Sequence, residues 1–324
     1  MRAAFIEDLG TPDAIRYGEL PDPLPGPTDV LVRVTATTVN PVDTFVRSGL
    51  YRTPLGFPFV ISRDLVGTVV EAGPGAAGFR PGDPVWSNSL GHAGRQGPAA
   101  ELAVVPGDRL YRLPEGADPH EAVAVVHPAA TAYLGLFTHG GLRAGETVLV
   151  AGAAGNVGSA MTVMAAEAGA RVIATARAED AEYVRSLGAH EVLDYRDPAA
   201  AEALAGRIDL HLDTSGRNDL AAAVALLAPR GRIVLLAGAR TEPVLPAGAL
   251  YMKDGSVRGF VISSATAAEL AEAAVAINRL LAAGTLRPRS VERLPLSAAA
   301  DVHRRIEQGG LHGRRALLLP SLDA

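Results

Sequence analysis

Two patterns of apolar positions meet near residue 127. Up to about residue 125, short alternating runs stand between Pro- and Gly-rich turns. Residues 30–36, 66–71 and 101–105 read as strands, separated by Pro25-Gly26-Pro27, Pro74-Gly75 and Pro81-Gly82-Asp83 among others. Such spacing predicts a β-rich, barrel-like domain. Beyond residue 127 strands and helices alternate: strand 146–151, helix 156–168, strand 170–175, helix 179–187, strands 190–194 and 208–213, helix 218–227, then strands 231–236 and 256–262. Sustained alternation predicts a parallel, doubly wound sheet, which makes the fold class α/β. A helix over 266–283, a strand over 291–295, a helix over 297–308 and a strand over 314–319 complete the chain.

One junction carries chemistry. The strand ending Val148-Leu149-Val150-Ala151 runs into Gly152-Ala153-Ala154-Gly155-Asn156-Val157-Gly158 and then a helix. Gly152 and Gly155 suit a tight turn that lets backbone amides approach a pyrophosphate, and Gly158 suits close helix–sheet packing. The first amides of a helix, at the positive end of its dipole, favour an anion. Inside an alternating domain, this turn reads as a dinucleotide site.

Cofactor choice is read at the end of the next strand. A carboxylate there binds the ribose hydroxyls of NAD. Here Thr175-Ala176-Arg177 comes first, with Glu179 and Asp180 after it. Arg177 is placed to pair with a 2′-phosphate, so NADPH is the expected cofactor.

Composition narrows the class. The chain has 324 residues, enough for two domains, with 48% hydrophobic and 20% charged residues. A net charge of −5 without a basic cluster argues against nucleic-acid partners. There is no cysteine, hence no disulfide and no thiolate ligand. No run approaches the roughly 20 apolar residues of a membrane span, and the opening residues offer no apolar core for a leader. A cytoplasmic location is expected. The histidines, at 92, 120, 127, 139, 190, 211, 303 and 312, lack metal-ligand spacing, so no metal is expected. His127 reads as structural. Lys253, the only lysine, stands two residues after Tyr251 and cannot form a Tyr-x-x-x-Lys pair.

Several longer stretches carry a resemblance: Met1-Arg2-Ala3, Asn40-Pro41-Val42-Asp43 through Ser48-Gly49-Leu50-Tyr51, Phe79-Arg80-Pro81-Gly82-Asp83, Ala130-Thr131-Ala132-Tyr133, and Leu187-Gly188-Ala189-His190 through Asp194-Tyr195-Arg196. With these the chain resembles, over nearly its whole length, the zinc-independent quinone oxidoreductases (ζ-crystallin-like) of the medium-chain dehydrogenase superfamily. The resemblance implies a GroES-like catalytic domain from residues 1–125 and 266–324 and a Rossmann domain over 126–265. It also implies a cleft between them, a homodimer, and NADPH-dependent reduction of quinones or other conjugated carbonyls. By the same route Asn40, Asp43 and Tyr51 are expected near nicotinamide and substrate, with Thr131, Tyr195 and Gly238 joining the glycine turn and Arg177 around the cofactor. Phe45 stands where relatives often carry tyrosine, and Asp180 where some carry a phosphate-binding lysine.

The chemistry left open is modest in its demands. Zinc alcohol dehydrogenases of this superfamily carry Gly-His-Glu where Ser62-Arg63-Asp64 stands here. Without a Lewis acid, alcohol oxidation fits poorly. A quinone or enone accepts hydride at carbon with its charge delocalised, so positioning supplies most of the rate. Tyr51 can donate a hydrogen bond or serve as an aromatic wall, and water is the other proton source. Asn40 and Asp43 are either site residues or turn caps. Two further readings stay open. One is a reductase of 2-enoyl thioesters or polyketide intermediates, with Arg47, Arg52 and Arg63 as a basic rim. The other is a non-catalytic NADPH-binding structural or RNA-binding protein.

Overall fold

The strand Asp29–Thr38 owes its length to eight apolar or β-branched residues among its ten, and the sheet of the first part of the chain is built around it. In the computed structural model, which describes residues 1–197, 202–311 and 313–323, this strand lies in the unit formed by Met1–His127 with Leu270–Ala324. A second unit comprises Pro128–Glu269. His312, one of the histidines considered above, lies outside the described residues.

The seven-stranded sheet of the first unit runs in the order Ser290–Pro295, Arg314–Leu319, Asp29–Thr38, Asp64–Ala72, Pro84–Ser87 and Tyr111–Arg112, with Leu102–Pro106 also paired to Asp29–Thr38. Register decides which polar residues meet. Thr38 lies opposite Asp64 on one side and opposite Leu317 on the other. Side chains alternate with period two, so Arg315 shares the face of Leu317 and comes level with Asn40. Two apolar clusters support this sheet and a smaller one of Arg16–Glu19, Arg2–Ile6 and Phe59–Val60. One includes Ile6, Phe59, Ile61, Val302 and Leu318, and the other Val32, Leu65, Val69, Val85 and Val105. Each fully buried aliphatic side chain contributes about 1.5–3 kcal/mol.

The second unit holds six parallel strands in the order Glu191–Asp194, Arg171–Ala176, Thr147–Ala151, Ile208–Asp213, Leu227–Leu235 and Ser256–Gly259. Numbered along the chain this is 3-2-1-4-5-6, the order of the Rossmann fold, with Thr147–Ala151 at the switch point. The expected α/β class is observed.

Some elements differ from the sequence reading. The strand expected from 231 begins at Leu227. Pro229-Arg230-Gly231 forms an irregularity within the strand, where the pairing register shifts and Arg230 adopts φ +63°. Helices Pro41–Ser48 and Pro119–Tyr133 were not foreseen. The first is short and opens on proline at N1, where the missing N–H costs nothing. The second carries Pro128 in its interior, a residue that sequence reasoning treats as a helix breaker.

Candidate functional site

In the second unit, the turn after strand Thr147–Ala151 holds the seven residues from Gly152 to Gly158. Gly152 sits at φ +80°, and a Cβ there would lie 2.8 Å from Thr214 Oγ1. A Cβ on Gly158 would lie 2.3 Å from the Gly152 carbonyl oxygen, which only glycine tolerates. Helix Asn156–Glu167 then starts with Gly155 as its cap. Its first amides have no carbonyl partner within the helix. The Ala153 amide donates to the Thr175 carbonyl at 3.0 Å, which ties the turn to the neighbouring strand.

Arg177 follows strand Arg171–Ala176 and is already matched in charge. Its guanidinium lies 2.8 Å from Glu179 and 3.1 Å from the buried Asp180, and the Asp180 hydrogen bond raises its pKa. Tyr195 is 43% exposed and flanked by two other arginines, with Arg217 at 5.1 Å and Arg196 at 5.6 Å from its ring centre. A cavity of about 460 Å³ at the carboxyl ends of these strands is lined by Gly152, Thr175, Tyr195, Asp213 and Arg217 among others. Gly238, at φ +81°, packs on the neighbouring loop, where a Cβ would lie 2.5 Å from Asn218 Nδ2 and 2.6 Å from the Gly216 carbonyl. Thr131 is buried on helix Pro119–Tyr133.

In the first unit, Asn40 and Asp43 belong to a buried polar network. Asp43 accepts the Asn40 backbone N–H at 2.7 Å and so caps helix Pro41–Ser48. The Asn40 side-chain amide donates to Asp64 at 2.7 Å and accepts from Arg315 at 3.0 Å. Thr38 donates to Asp64 at 2.9 Å and accepts from Arg315 at 2.8 Å. His127 Nδ1 lies 3.0 Å from Asp64 and 3.3 Å from the Asn88 carbonyl. Both of these partners only accept, which assigns the proton to Nδ1. On the other side Arg63 Nε lies 3.4 Å from Asp43, and its guanidinium is 6.0 Å from the ring centre of half-buried Tyr51. Ser62, at φ +75°, turns the chain so that Arg63 and Asp64 are both buried.

Two arginines and two aspartates balance in formal charge here, but burial acts on Asp43, Arg63 and Arg315. Desolvation pushes the Asp43 carboxyl up to about 6 despite the opposing charge of Arg63. Burial likewise lowers Arg63 and Arg315 from the usual arginine range. Loss of hydration therefore outweighs the Coulomb gain at this site. Among the described residues no group of three or more histidine or carboxylate side chains is placed to hold a metal ion. The network offers fixed dipoles, a carboxyl that titrates near neutrality and an aromatic hydroxyl.

The expected catalytic residues Asn40 and Asp43 are thus in direct contact, with Tyr51 joined to them through Arg63. Sequence reasoning missed Thr38, Asp64 and Arg315, and read His127 as structural without a partner. Arg315 is 275 residues from Asn40, and no local pattern marks it.

Residues 26–115 match the family described as alcohol dehydrogenase GroES-like domain, and residues 156–278 the family described as zinc-binding dehydrogenase. A human quinone oxidoreductase is 32% identical over 98% of each chain. A mycobacterial protein solved with NADPH is 30% identical, with a TM-score of 0.83 over 99% of this chain and 100% of its own. A solved NAD-dependent alcohol dehydrogenase is 32% identical, with a TM-score of 0.87 over 98% and 99%. Identity at this level across almost the whole of both sequences means that the chain belongs to the quinone oxidoreductase family of the medium-chain dehydrogenase superfamily.

Proposed function

We propose that the protein reduces quinones or related conjugated carbonyl compounds with NADPH, without a metal. The observation that carries this reading is the 32% identity to human quinone oxidoreductase over 98% of both chains. The residues suit the cofactor. A Cβ on Gly152 or Gly158 would collide with a loop side chain or with backbone, so the turn stays tight. The Ala153 and Gly155 amides hold it together, and the amides at the start of helix Asn156–Glu167 remain for a pyrophosphate. Residues 153–157 complete that cradle. Thr131, Tyr195, Gly238 and Asn40 are assigned to the rest of the cofactor surface, with Arg177 beside the adenosine ribose.

NADPH, when bound, supplies the hydride. The protein's own part is to orient the acceptor and manage a proton. Asn40 is held from both sides, by Asp64 and Arg315, so its amide is a fixed polar group. Asp43 anchors the start of helix Pro41–Ser48 and holds Arg63 near Tyr51. The Tyr51 hydroxyl is assigned as hydrogen-bond donor to the acceptor's oxygen. Metal independence is supported by the cationic Arg63 beside Asp43, a poor neighbour for a second cation.

A homodimer in the cytoplasm completes the reading. Val244, Tyr251 and Met252 are 79–85% exposed and precede the edge strand Ser256–Gly259, a surface suited to pairing with a second copy. Among the described residues no helix is long and apolar enough to cross a membrane.

The thioester alternative loses support. Of the three arginines in its expected basic rim, Arg47 is buried against Glu307 and Arg63 against Asp43, which leaves only Arg52 exposed. The test is NADPH oxidation with 1,4-benzoquinone against crotonyl-CoA. Faster oxidation with benzoquinone is expected. Faster oxidation with crotonyl-CoA, or tight NADPH binding without turnover on any quinone or enone, overturns the reading.

A further inference from the structure

We propose that Arg217, stacked on Tyr195, is the residue that selects the 2′-phosphate of NADPH, and that Arg177 is not. The inference rests on the NADPH reading above and assigns it to a side chain that no local pattern in the sequence marked.

Three arginines surround the adenosine end of the nucleotide turn, and their charges are not equally available. Arg177 is held by two carboxylates, Glu179 at 2.8 Å and Asp180 at 3.1 Å. A phosphate approaching it meets a group whose net charge with those partners is already negative. Arg196 stacks on Tyr195 but does not line the cavity. Arg217 does line it, is exposed, and makes no ion pair among the described residues. It is also the one arginine or lysine among the described residues that line the cavity. His211, the other basic residue there, is held neutral by burial, which lowers its pKa.

The loop that carries Arg217 is built in advance. Asp213 accepts the Ser215 amide at 2.7 Å, the Ser215 hydroxyl at 2.6 Å and the Asn218 amide at 2.7 Å. Gly216 at φ +72° and Asn218 at φ +53° close the turn. The backbone at Arg217 is therefore fixed, and its guanidinium lies 5.1 Å from the Tyr195 ring centre. A planar cation over an aromatic face keeps its donors directed outward.

Asp194, Asp197 and Asp219 line the same cavity. Asp194 accepts the Arg196 amide and Asp219 the Ala222 amide. Their charge disfavours a phosphate, so selection for one depends on a cation in the cavity, and Arg217 is that cation.

The experiment is calorimetric titration of the full-length protein with adenosine 2′,5′-bisphosphate and with 5′-AMP, which differ by the 2′-phosphate alone. Arg217→Ala is expected to weaken the bisphosphate by about ten- to a hundredfold and 5′-AMP by less than about twofold. Arg177→Gln/Asp180→Asn removes one charge of each sign and is expected to change the selectivity by less than about threefold. Three results overturn the inference while leaving NADPH as the cofactor. They are unchanged selectivity in Arg217→Ala, an equal loss for both ligands, or loss of selectivity in the Arg177/Asp180 pair variant. A wild-type protein that binds the two ligands equally overturns the NADPH reading itself.

Discussion

Replacing Asp64 by asparagine keeps the side chain's shape and removes one charge from a site with no access to solvent. Asp64 is 0% exposed and accepts from Thr38, Asn40 and His127, with Arg315 at 3.9 Å. An asparagine has one acceptor oxygen and an amide that only donates. Whichever way it turns, its NH₂ faces a donor: Thr38 and Asn40 on one side, His127 on the other. Arg315, fully buried, also loses its nearest countercharge. Breaking a buried, hydrogen-bonded ion pair typically costs about 3–5 kcal/mol, and the 3.9 Å separation puts this case near 3. Trp86 provides the assay. It is the only tryptophan, fully buried in the same unit and hydrogen-bonded to Asn278 at 2.9 Å, so its fluorescence follows that unit alone. With a urea m value of about 2–3 kcal/mol/M, the midpoint of Asp64→Asn should fall by about 1–1.5 M. Asp64→Asn/Arg315→Gln should lose less than the sum of the two single variants, because the groups share partners. A midpoint within about 0.3 M of wild type would refute the account of this network as a tightly matched unit.

Gly158→Ala places a methyl 2.3 Å from the Gly152 carbonyl oxygen, so NADPH binding should drop by more than about tenfold, checked by fluorescence titration. Two buried groups give stability opposite slopes with pH. His303 is 0% exposed with neither ring nitrogen partnered, and its pKa is pushed down to about 3, so its contribution is present above about pH 6.5 and lost as pH falls. Asp43, raised from 3.8 to about 6, contributes stability below that window that is lost as pH rises through 6. Between pH 7 and 5, His303→Leu should therefore remove a loss of about 2 kcal/mol, and Asp43→Asn a gain of about 1.3 kcal/mol, in Trp86-monitored urea titrations. Tyr51→Phe should lower kcat and kcat/KM together, more for a poorly activated enone than for benzoquinone, as expected of a donor that acts in the transition state. Both constants within about twofold would make Tyr51 a wall.

The parts of the molecule that the sequence revealed are those in which the signal is local. The glycine turn from Gly152 to Gly158 lies within seven residues; Gly155 and Gly158 face the turn itself, although Gly152 faces Thr214 and Ser215 on the loop after strand Ile208–Asp213. The parallel sheet followed from apolar runs separated by helices. The buried network behaves differently. Asn40 and Asp43 stood in a recognisable stretch, yet their partners come from strands Asp64–Ala72 and Arg314–Leu319, brought level by register. Arg63 reads in the sequence as a missing histidine or as part of a basic rim, whereas in the structure it pairs with Asp43. The reading of Arg177 illustrates the opposite limit. Sequence placed a cation at the strand end, but the two carboxylates that neutralise it act through side-chain geometry, and Arg217 lies 40 positions further along.

Hydride transfer from NADPH without a metal is the central claim. Its most direct test is the steady-state oxidation of NADPH with 1,4-benzoquinone by protein exhaustively dialysed against a chelator, with metal content measured on the same sample. Undiminished turnover with well under about one equivalent of zinc per chain is the expected result. Stoichiometric zinc whose removal abolishes turnover, restored on adding zinc back, would contradict it.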